Sequence, residues 1–513
     1  MTVMKHMSLQ NITEACKGTL YLSGRPTEVC SVALSDEDSA LVSTEITGVA
    51  IDSRKTLPGY LFVPIRGTKV DGHTFIPQVM EKGALATLSE DELGNVSYPY
   101  IKVDSCEQAL KDLAAFYRNA LDIKVVAVTG SVGKTSTKET IASVLAQKYN
   151  VLKTEGNYNN EIGLPLTVFN LREEHEIAVL EIGVDHFGDM DKIAPVSQPD
   201  LCVITNIGLA HLENFGDRDG TLREKTTLFN HMKSGGTAIL NGDDDKLCTV
   251  TSVQGISPVF FGLGAAGTAA ETSAETATEA AAETSAAAFD TLSAPLTFNS
   301  SAPLSAYATD IEDLGLRGTM CTLHLSPGDI RVHIPVPGSH MVYNALAAAC
   351  AGIALGLTLD EIRSGIETLK TIAGRTNLID TGDLLIIDDC YNANPVSMMG
   401  SLDILSTAKG RTVAVMGDMF ELGTGEQEMH YNCGVHAAAK AIDLICCIGG
   451  LSRHAYEGAK ANAKSSAVLY FETKQEFLEK LPSIIRKEDT ILVKASHSME
   501  FPEIVEILKN MKF

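Results

Sequence analysis

Residues 125–139 read VVAVTGSVGKTSTKE, and the rest of the chain is organised around them. Val125, Val126 and Val128 are β-branched residues in an unbroken apolar run, which predicts a buried strand. The run breaks at Thr129-Gly130, Gly130 and Gly133 bracket a tight turn, and Lys134-Thr135 opens a helical pattern. Strand, glycine turn and helix start together make a phosphate cradle. Glycines let backbone N–H groups converge on an anion, and the helix N-terminus adds the positive end of its dipole. Gly130, Ser131, Val132, Gly133, Lys134, Thr135 and Ser136 are therefore the candidate nucleotide contacts, with Lys134 for the outer phosphates and Thr135 for Mg²⁺. The loop is G-x-x-G-K-T, shorter than the full Walker pattern, because Val128 stands where that pattern has its first glycine. Taken alone, the motif also fits a plain strand–turn–helix with a surface lysine.

The 513 residues suggest about three domains. A hydrophobic content of 45% is ample for several cores, and a formal charge of −24 without any basic run argues against nucleic-acid or acidic-membrane partners. The N-terminal residues lack a signal-peptide core, and no apolar run is long enough for a bilayer. The eleven cysteines are scattered, with no C-x-x-C pair, and Cys202, Cys446 and Cys447 lie in apolar runs. That pattern predicts reduced core thiols in a cytoplasmic protein and no zinc site.

The expected fold class is α/β with three domains. Residues 1–121 read as a small α/β domain. Ser53, Arg54 and Arg66 lie near its loop glycines, where they could hold a diphosphate or simply form a solvated turn. Residues 122–336 read as a central P-loop, parallel-sheet ATPase domain, with strands expected at 177–181, 201–206, 237–240 and 259–261. Glu181, Asn206 and His211 stand after such strands, where ligands of parallel sheets collect. Residues 264–304 are Ala, Thr, Ser and Glu with almost no large apolar side chains. This composition predicts a flexible insertion whose removal changes activity little. The G-x-G-x-x-G at Gly262–Gly267 precedes no apolar helix and is not read as a dinucleotide site. Residues 337–513 read as a Rossmann-like domain. It begins with a helix at 340–355 capped by Ser339 and continues with strands near 384–387, 413–416, 444–448, 468–471 and 491–493. In the first domain the corresponding apolar strand is expected at 61–65.

Together these motifs resemble the Mur ligases. TGSVGKT at 129–135 resembles their ATP loop and GNYNNEIG at 156–163 their substrate-facing segment. Glu181-Ile182-Gly183 and Thr205-Asn206-Ile207-Gly208 with His211 resemble their magnesium site. Asn344, Gly374-Arg375 and Asp389 match their C-terminal ATP contacts, and Lys225 matches the position of a carbamylated lysine. DDCYNANP at 388–395 and GDMFELG at 417–423 are closest to those members that join D-alanyl-D-alanine to a UDP-N-acetylmuramoyl-tripeptide. Two departures stand out: Met341 where many members carry Asn, and His497 in a KASHSM run where an Arg is usual.

The resemblance implies phosphoryl transfer from ATP to a peptide carboxylate, then attack by the dipeptide amine. The cofactors implied are ATP and Mg²⁺, with Lys134, Glu181, His211 and Lys225 catalytic and Thr135, Glu181, His211 and Lys225 around metal. It also implies Ser53, Arg54, Asn159 and Asn160 at the UDP substrate and Tyr391, Asn392 and Asn394 on the dipeptide side, in a monomeric cytoplasmic enzyme. Read singly, Glu181 is equally a strand-end surface charge, His211 a loop histidine and Lys225 a solvated helix lysine. A sibling ligase that adds one amino acid or extends folate with glutamate remains an alternative, as does a non-catalytic nucleotide-binding protein.

Overall fold

The computed structural model describes residues 3–27, 34–208, 212–263 and 304–513. It is an α/β molecule whose three sheet-bearing domains carry six, nine and six strands among the described residues. By packing, the chain divides into two units. One is Met1–Thr129 with Tyr149–Cys202 and Glu224–Gly236; the other is Gly130–Lys148 with Val203–Arg223 and Thr237–Phe513.

In the first unit the leading sheet contains β1 (Thr19–Leu22), β2 (Arg25–Thr27), β3 (Gly48–Ala50), β4 (Tyr60–Phe62), β5 (Ala86–Ser89) and β6 (Tyr100–Lys102). Their order is β2-β1-β6-β5-β4-β3. Strands β3 to β6 run parallel, and β1 joins β6 antiparallel. The strand expected at 61–65 ends at Phe62. Val63 N still donates to Ala50 O, but Pro64 has no amide hydrogen with which to extend the ladder. The same unit holds β7 (Lys124–Thr129), β8 (Val151–Lys153) and β9 (Ile177–Glu181), paired parallel in the order β7-β9-β8. All five residues of β9 are buried, which is why it reads as an apolar run up to Glu181.

β10 (Leu201–Ile204) is also wholly buried. In the second unit β11 (Thr237–Asn241), β12 (Val259–Leu263) and β13 (Ala306–Asp313) pair parallel in turn. β14 (Thr319–Leu325) and β15 (Gly328–Ile334) then extend the sheet antiparallel. This meander adds two antiparallel strands to the largely parallel sheet expected. The register Leu325↔Gly328 leaves only Ser326 and Pro327 between the strands, a connection too short for any but an antiparallel return.

The expected insertion lies, apart from Leu304, outside the described residues. The strands that flank it are parallel partners, with Leu263 opposite Ala308. Deletion of 265–301 with a short linker should change Tm and ligation little. Thermal unfolding and a ligation assay on that variant check this, and a large loss of ligation with the fold preserved would give the segment a functional role.

The last sheet contains β16 (Asn377–Asp380), β17 (Leu385–Asp388), β18 (Thr412–Gly417), β19 (Leu444–Ile448), β20 (Ala467–Phe471) and β21 (Thr490–Lys494), in the order β16-β17-β21-β18-β19-β20. Only β16 is antiparallel to its neighbour. Val413, Val415, Cys446 and Val493 pack with Phe477, Leu481 and Phe501 on one face. Ala414, Met416, Cys447 and Leu492 pack with Met398, Leu402 and Cys433 on the other. The adjacent cysteines 446 and 447 thus enter opposite cores, and this layer is doubly wound as expected.

Two helices tie the region after the central sheet to the phosphate-loop helix, Lys134–Leu145. Helix Met341–Ala354 packs on it and on β11 and β12, and helix Leu359–Glu367 packs on it and on β15. Gly365 permits the second contact, since a Cβ there would lie 2.4 Å from Val144 Cα. The expected Ser339 cap is absent: the cap position belongs to His340, with no side-chain capping bond.

Candidate active site

β7 delivers a buried Thr129 to the loop. Gly130 has φ +144° and Gly133 φ +82°, backbone conformations that L side chains rarely adopt. At Gly130 a Cβ would also collide with Thr205 Oγ1, at 2.0 Å. Gly133 is the N-cap residue of helix Lys134–Leu145 and offers no side-chain cap. The first N–H groups of that helix have no intrahelical acceptors and are available to an anion. Lys134 Nζ folds back to Gly130 O (2.9 Å) and Ser131 O (3.4 Å). Thr135 and Ser136 follow in the first turn, half-buried. Residues 130–136 thus form the expected glycine turn and helix start.

Asn344 lies under this helix: it is buried, and its Oδ1 accepts from Thr137 Oγ1 at 2.8 Å. Arg375 lies beside a cleft lined also by Ser136, Glu139, Thr140, His340 and Met341. Its guanidinium carbon sits 4.0 Å from the Tyr391 ring centroid, and Tyr391 in turn packs against His497, with ring centroids 5.6 Å apart.

Asp389, expected at ATP, is engaged elsewhere in the structure. Its Oδ2 meets Lys494 Nζ at 2.6 Å and Ser401 Oγ at 2.5 Å, and its Oδ1 accepts Thr376 N at 3.0 Å. Asp389 and Lys494 are both nearly fully buried. The pair therefore ties β17 and β21 to the turn that carries Arg375. Asp388 does the same for Gly374, whose N–H donates to Oδ2 at 2.8 Å. Cys390 Sγ donates to Asp388 Oδ1, and burial with that carboxylate pushes its thiol far up in pKa. Of the residues expected on the dipeptide side, Asn392 is exposed. Asn394 instead caps helix Pro395–Ser406 in a reciprocal box with Ser397.

In the first unit Glu181 ends β9 and is 2% exposed. Its Oε1 accepts from Asn159 Nδ2 at 2.8 Å, and its N–H donates to Thr154 Oγ1. It is thus not a strand-end surface charge. Asn160 accepts from Gly163 N at 2.8 Å at the start of helix Gly163–Val168, a local turn-closing role. Glu161 joins Lys111 (2.7 Å) and Lys192 (3.2 Å); burial raises its pKa, the two lysines outweigh that, and the net shift is downward. Lys225, on helix Arg218–Thr226, is 2% exposed, so the reading as a solvated lysine fails. The preceding Glu224 is buried, and its carboxylate accepts Gly188 N (3.0 Å) and Met190 N (2.8 Å). His211 lies outside the described residues.

The expected diphosphate cations are occupied. Arg54 forks onto Asp52 through Nε (2.9 Å) and a terminal nitrogen (2.7 Å) and holds that carboxyl well below its usual range. Arg66 meets Glu90, Asp91 and Asp71, an acidic surrounding unsuited to an anion. Ser53 uses its backbone carbonyl to accept Lys82 Nζ at 2.8 Å.

Family models match the chain in three stretches: the Mur ligase family catalytic domain at 45–118, the Mur ligase middle domain at 128–352 and the Mur ligase glutamate ligase domain at 374–497. A Bacillus subtilis protein named UDP-N-acetylmuramoyl-tripeptide–D-alanyl-D-alanine ligase is 33% identical over 506 residues, 98% of each chain. This chain belongs to the Mur ligase family. Its fold is similar to a crystal structure of MurF from Acinetobacter baumannii, with TM-score 0.81, 30% identity and coverage of 98% of this chain and 99% of the other. The MurF ligase of Thermotoga maritima in complex with ADP gives TM-score 0.73 at 26% identity, covering 90% and 97%.

For a Mur ligase, several structurally decisive residues here escaped sequence reasoning. Asn206 was grouped by resemblance with the magnesium site, yet its side-chain amide is engaged with the backbone of Val132. Asp244 drew no reading from the sequence, and burial raises its pKa. The signals for Asn206 were its place just after a buried strand and the Thr205-Asn206-Ile207-Gly208 run, and neither pointed to Val132.

Proposed function

We propose that this chain joins D-alanyl-D-alanine to UDP-N-acetylmuramoyl-tripeptide with ATP, forming an acyl phosphate on the way. The carrying observation is the assembled cradle at 130–136 in a chain alike over 98% of its length to a relative named for that reaction. A peptide carboxylate is a poor electrophile. In the proposed sequence its oxygen attacks the γ-phosphorus and ADP departs. The dipeptide amine then attacks the acyl carbon, loses a proton and releases phosphate. Lys134 and the helix N–H groups would balance the negative charge that gathers on the transferring group.

We assign the Thr135 hydroxyl, the buried Glu181 carboxylate, His211 and Lys225 to magnesium, an ion that oxygen donors suit. When bound, it would neutralise phosphate charge. Ser53, Arg54, Asn159 and Asn160 are proposed toward the UDP substrate, and Asn344, Arg375 and Asp389 toward ATP. The ion pairs of Arg54 and Asp389 argue that these two act only after rearrangement or through their neighbours. Tyr391, Asn392 and Asn394 remain the proposed dipeptide side. The proposal includes a monomer working in the cytoplasm; among the described residues no helix is long and apolar enough to cross a membrane. We propose domain limits near 121 and after Glu367, since helices Met341–Ala354 and Leu359–Glu367 pack with the central elements.

The test is phosphate release from ATP measured with each substrate omitted in turn. Release that requires the nucleotide tripeptide and D-alanyl-D-alanine together is expected. Release with a single amino acid in place of the dipeptide would favour a sibling ligase.

A further inference from the structure

The phosphate loop is held in shape from outside itself. Val132, at its centre, donates its N–H to Asn206 Oδ1 at 3.0 Å, and its C=O accepts from Asn206 Nδ2 at 2.9 Å and Thr205 Oγ1 at 2.7 Å. Ser131 N donates to Asn206 O at 3.0 Å, and Gly208 N donates to Ser131 Oγ at 2.8 Å. An amide side chain presents a donor and an acceptor side by side, the complement of the two backbone groups of one residue.

Asn206 is itself braced through the next residue. Ile207 N donates to Asp244 Oδ2 at 2.8 Å, and Ile207 O accepts from Arg218 Nε at 2.8 Å. Arg218 is fixed by a fork onto Asp245. Asp244 uses its second oxygen to accept Lys246 N at 3.0 Å and Leu247 N at 2.9 Å, so the brace is rooted in its own turn.

We propose that Asn206, braced through Ile207 by Asp244, is a positioning residue that holds the phosphate loop ready for nucleotide before nucleotide arrives. The need is physical. Gly130 and Gly133 give the loop wide conformational freedom, and a loop that must be ordered on binding loses affinity. This rests on the reading of 130–136 as a nucleotide phosphate site and names what sets its shape.

The test compares Asn206→Ala and Asp244→Asn with the wild-type chain. Asp244→Asn can keep its oxygen on Lys246 N and Leu247 N while losing the acceptor for Ile207 N, so it cuts the brace with little damage to the turn. The readouts are the Kd for ADP by calorimetry, KM for each substrate, kcat and Tm. For Asn206→Ala, Kd for ADP and KM for ATP should rise on the order of tenfold to a hundredfold, and for Asp244→Asn roughly fivefold to tenfold. KM for the nucleotide tripeptide and the dipeptide should stay within about twofold. A lowered Tm with unchanged Kd for ADP in folded variants would reduce these residues to structural ones and overturn the proposal alone. Absence of ADP binding by the wild-type chain would overturn the site reading and this inference with it. Should Asn206→Ala fail to fold, Asp244→Asn decides.

Discussion

Lys134→Ala is expected to leave a folded protein that makes almost no acyl phosphate, with kcat lowered about a thousandfold or more. Lys134 Nζ rests on the carbonyls of Gly130 and Ser131 at the start of the loop. Catalysis depends on it heavily. The transferring phosphoryl group would lose its main side-chain cation in a site built to concentrate positive charge, and a thousandfold corresponds to about 4 kcal/mol of transition-state stabilisation. Lys134→Arg should rescue poorly, because a planar fork does not replace a compact ammonium. Rapid-quench measurement of phosphoryl transfer, with Tm as the folding control, checks the result. Near-wild-type ligation by the alanine variant would remove the loop from the mechanism.

Lys225→Ala is expected to lower kcat at least about a hundredfold, with partial recovery on addition of acetate or formate. Lys225 is 2% exposed, and its helix is anchored by Glu224 to the N–H groups of Gly188 and Met190. A buried ammonium near magnesium would add repulsion to its desolvation cost. Condensation of the neutral amine with CO₂ gives a carbamate and releases one proton, replacing a cation with an oxygen anion that suits magnesium. A short carboxylate can enter the space left by alanine and supply the same anion. Activity should also fall when CO₂ and bicarbonate are stripped from the wild-type enzyme and return when they are restored. A fully active alanine variant, insensitive to added carboxylate, would end this assignment.

The strands at 177–181 and 444–448 coincide with the sequence expectation because both faces of each are buried, which demands apolar side chains at every position but Glu181, where β9 ends. The meander at β13 to β15 was missed, although β14 alternates between buried and half-buried positions throughout. Its residues mix Thr, Cys and His with Leu, which blurs the two-residue period.

The loop at 130–136 was legible because its chemistry is local: glycines, a lysine and a helix start within seven positions. Roles that need a distant partner were not. Asp389 is tied to Lys494, 105 residues away, and Asn206 to Val132, 74 residues away. Asn160 and Asn394 illustrate the converse, since motif resemblance pointed them at ligands while each closes the start of the next helix. The amino-acid sequence by itself determined the α/β class, the glycine turn and helix start at 130–136, and the family. The tertiary structure alone decided which polar side chains face the site and which hold it together. A hydrogen bond or ion pair is settled by where folding brings its second member, and a side chain's type records only what it is able to bond.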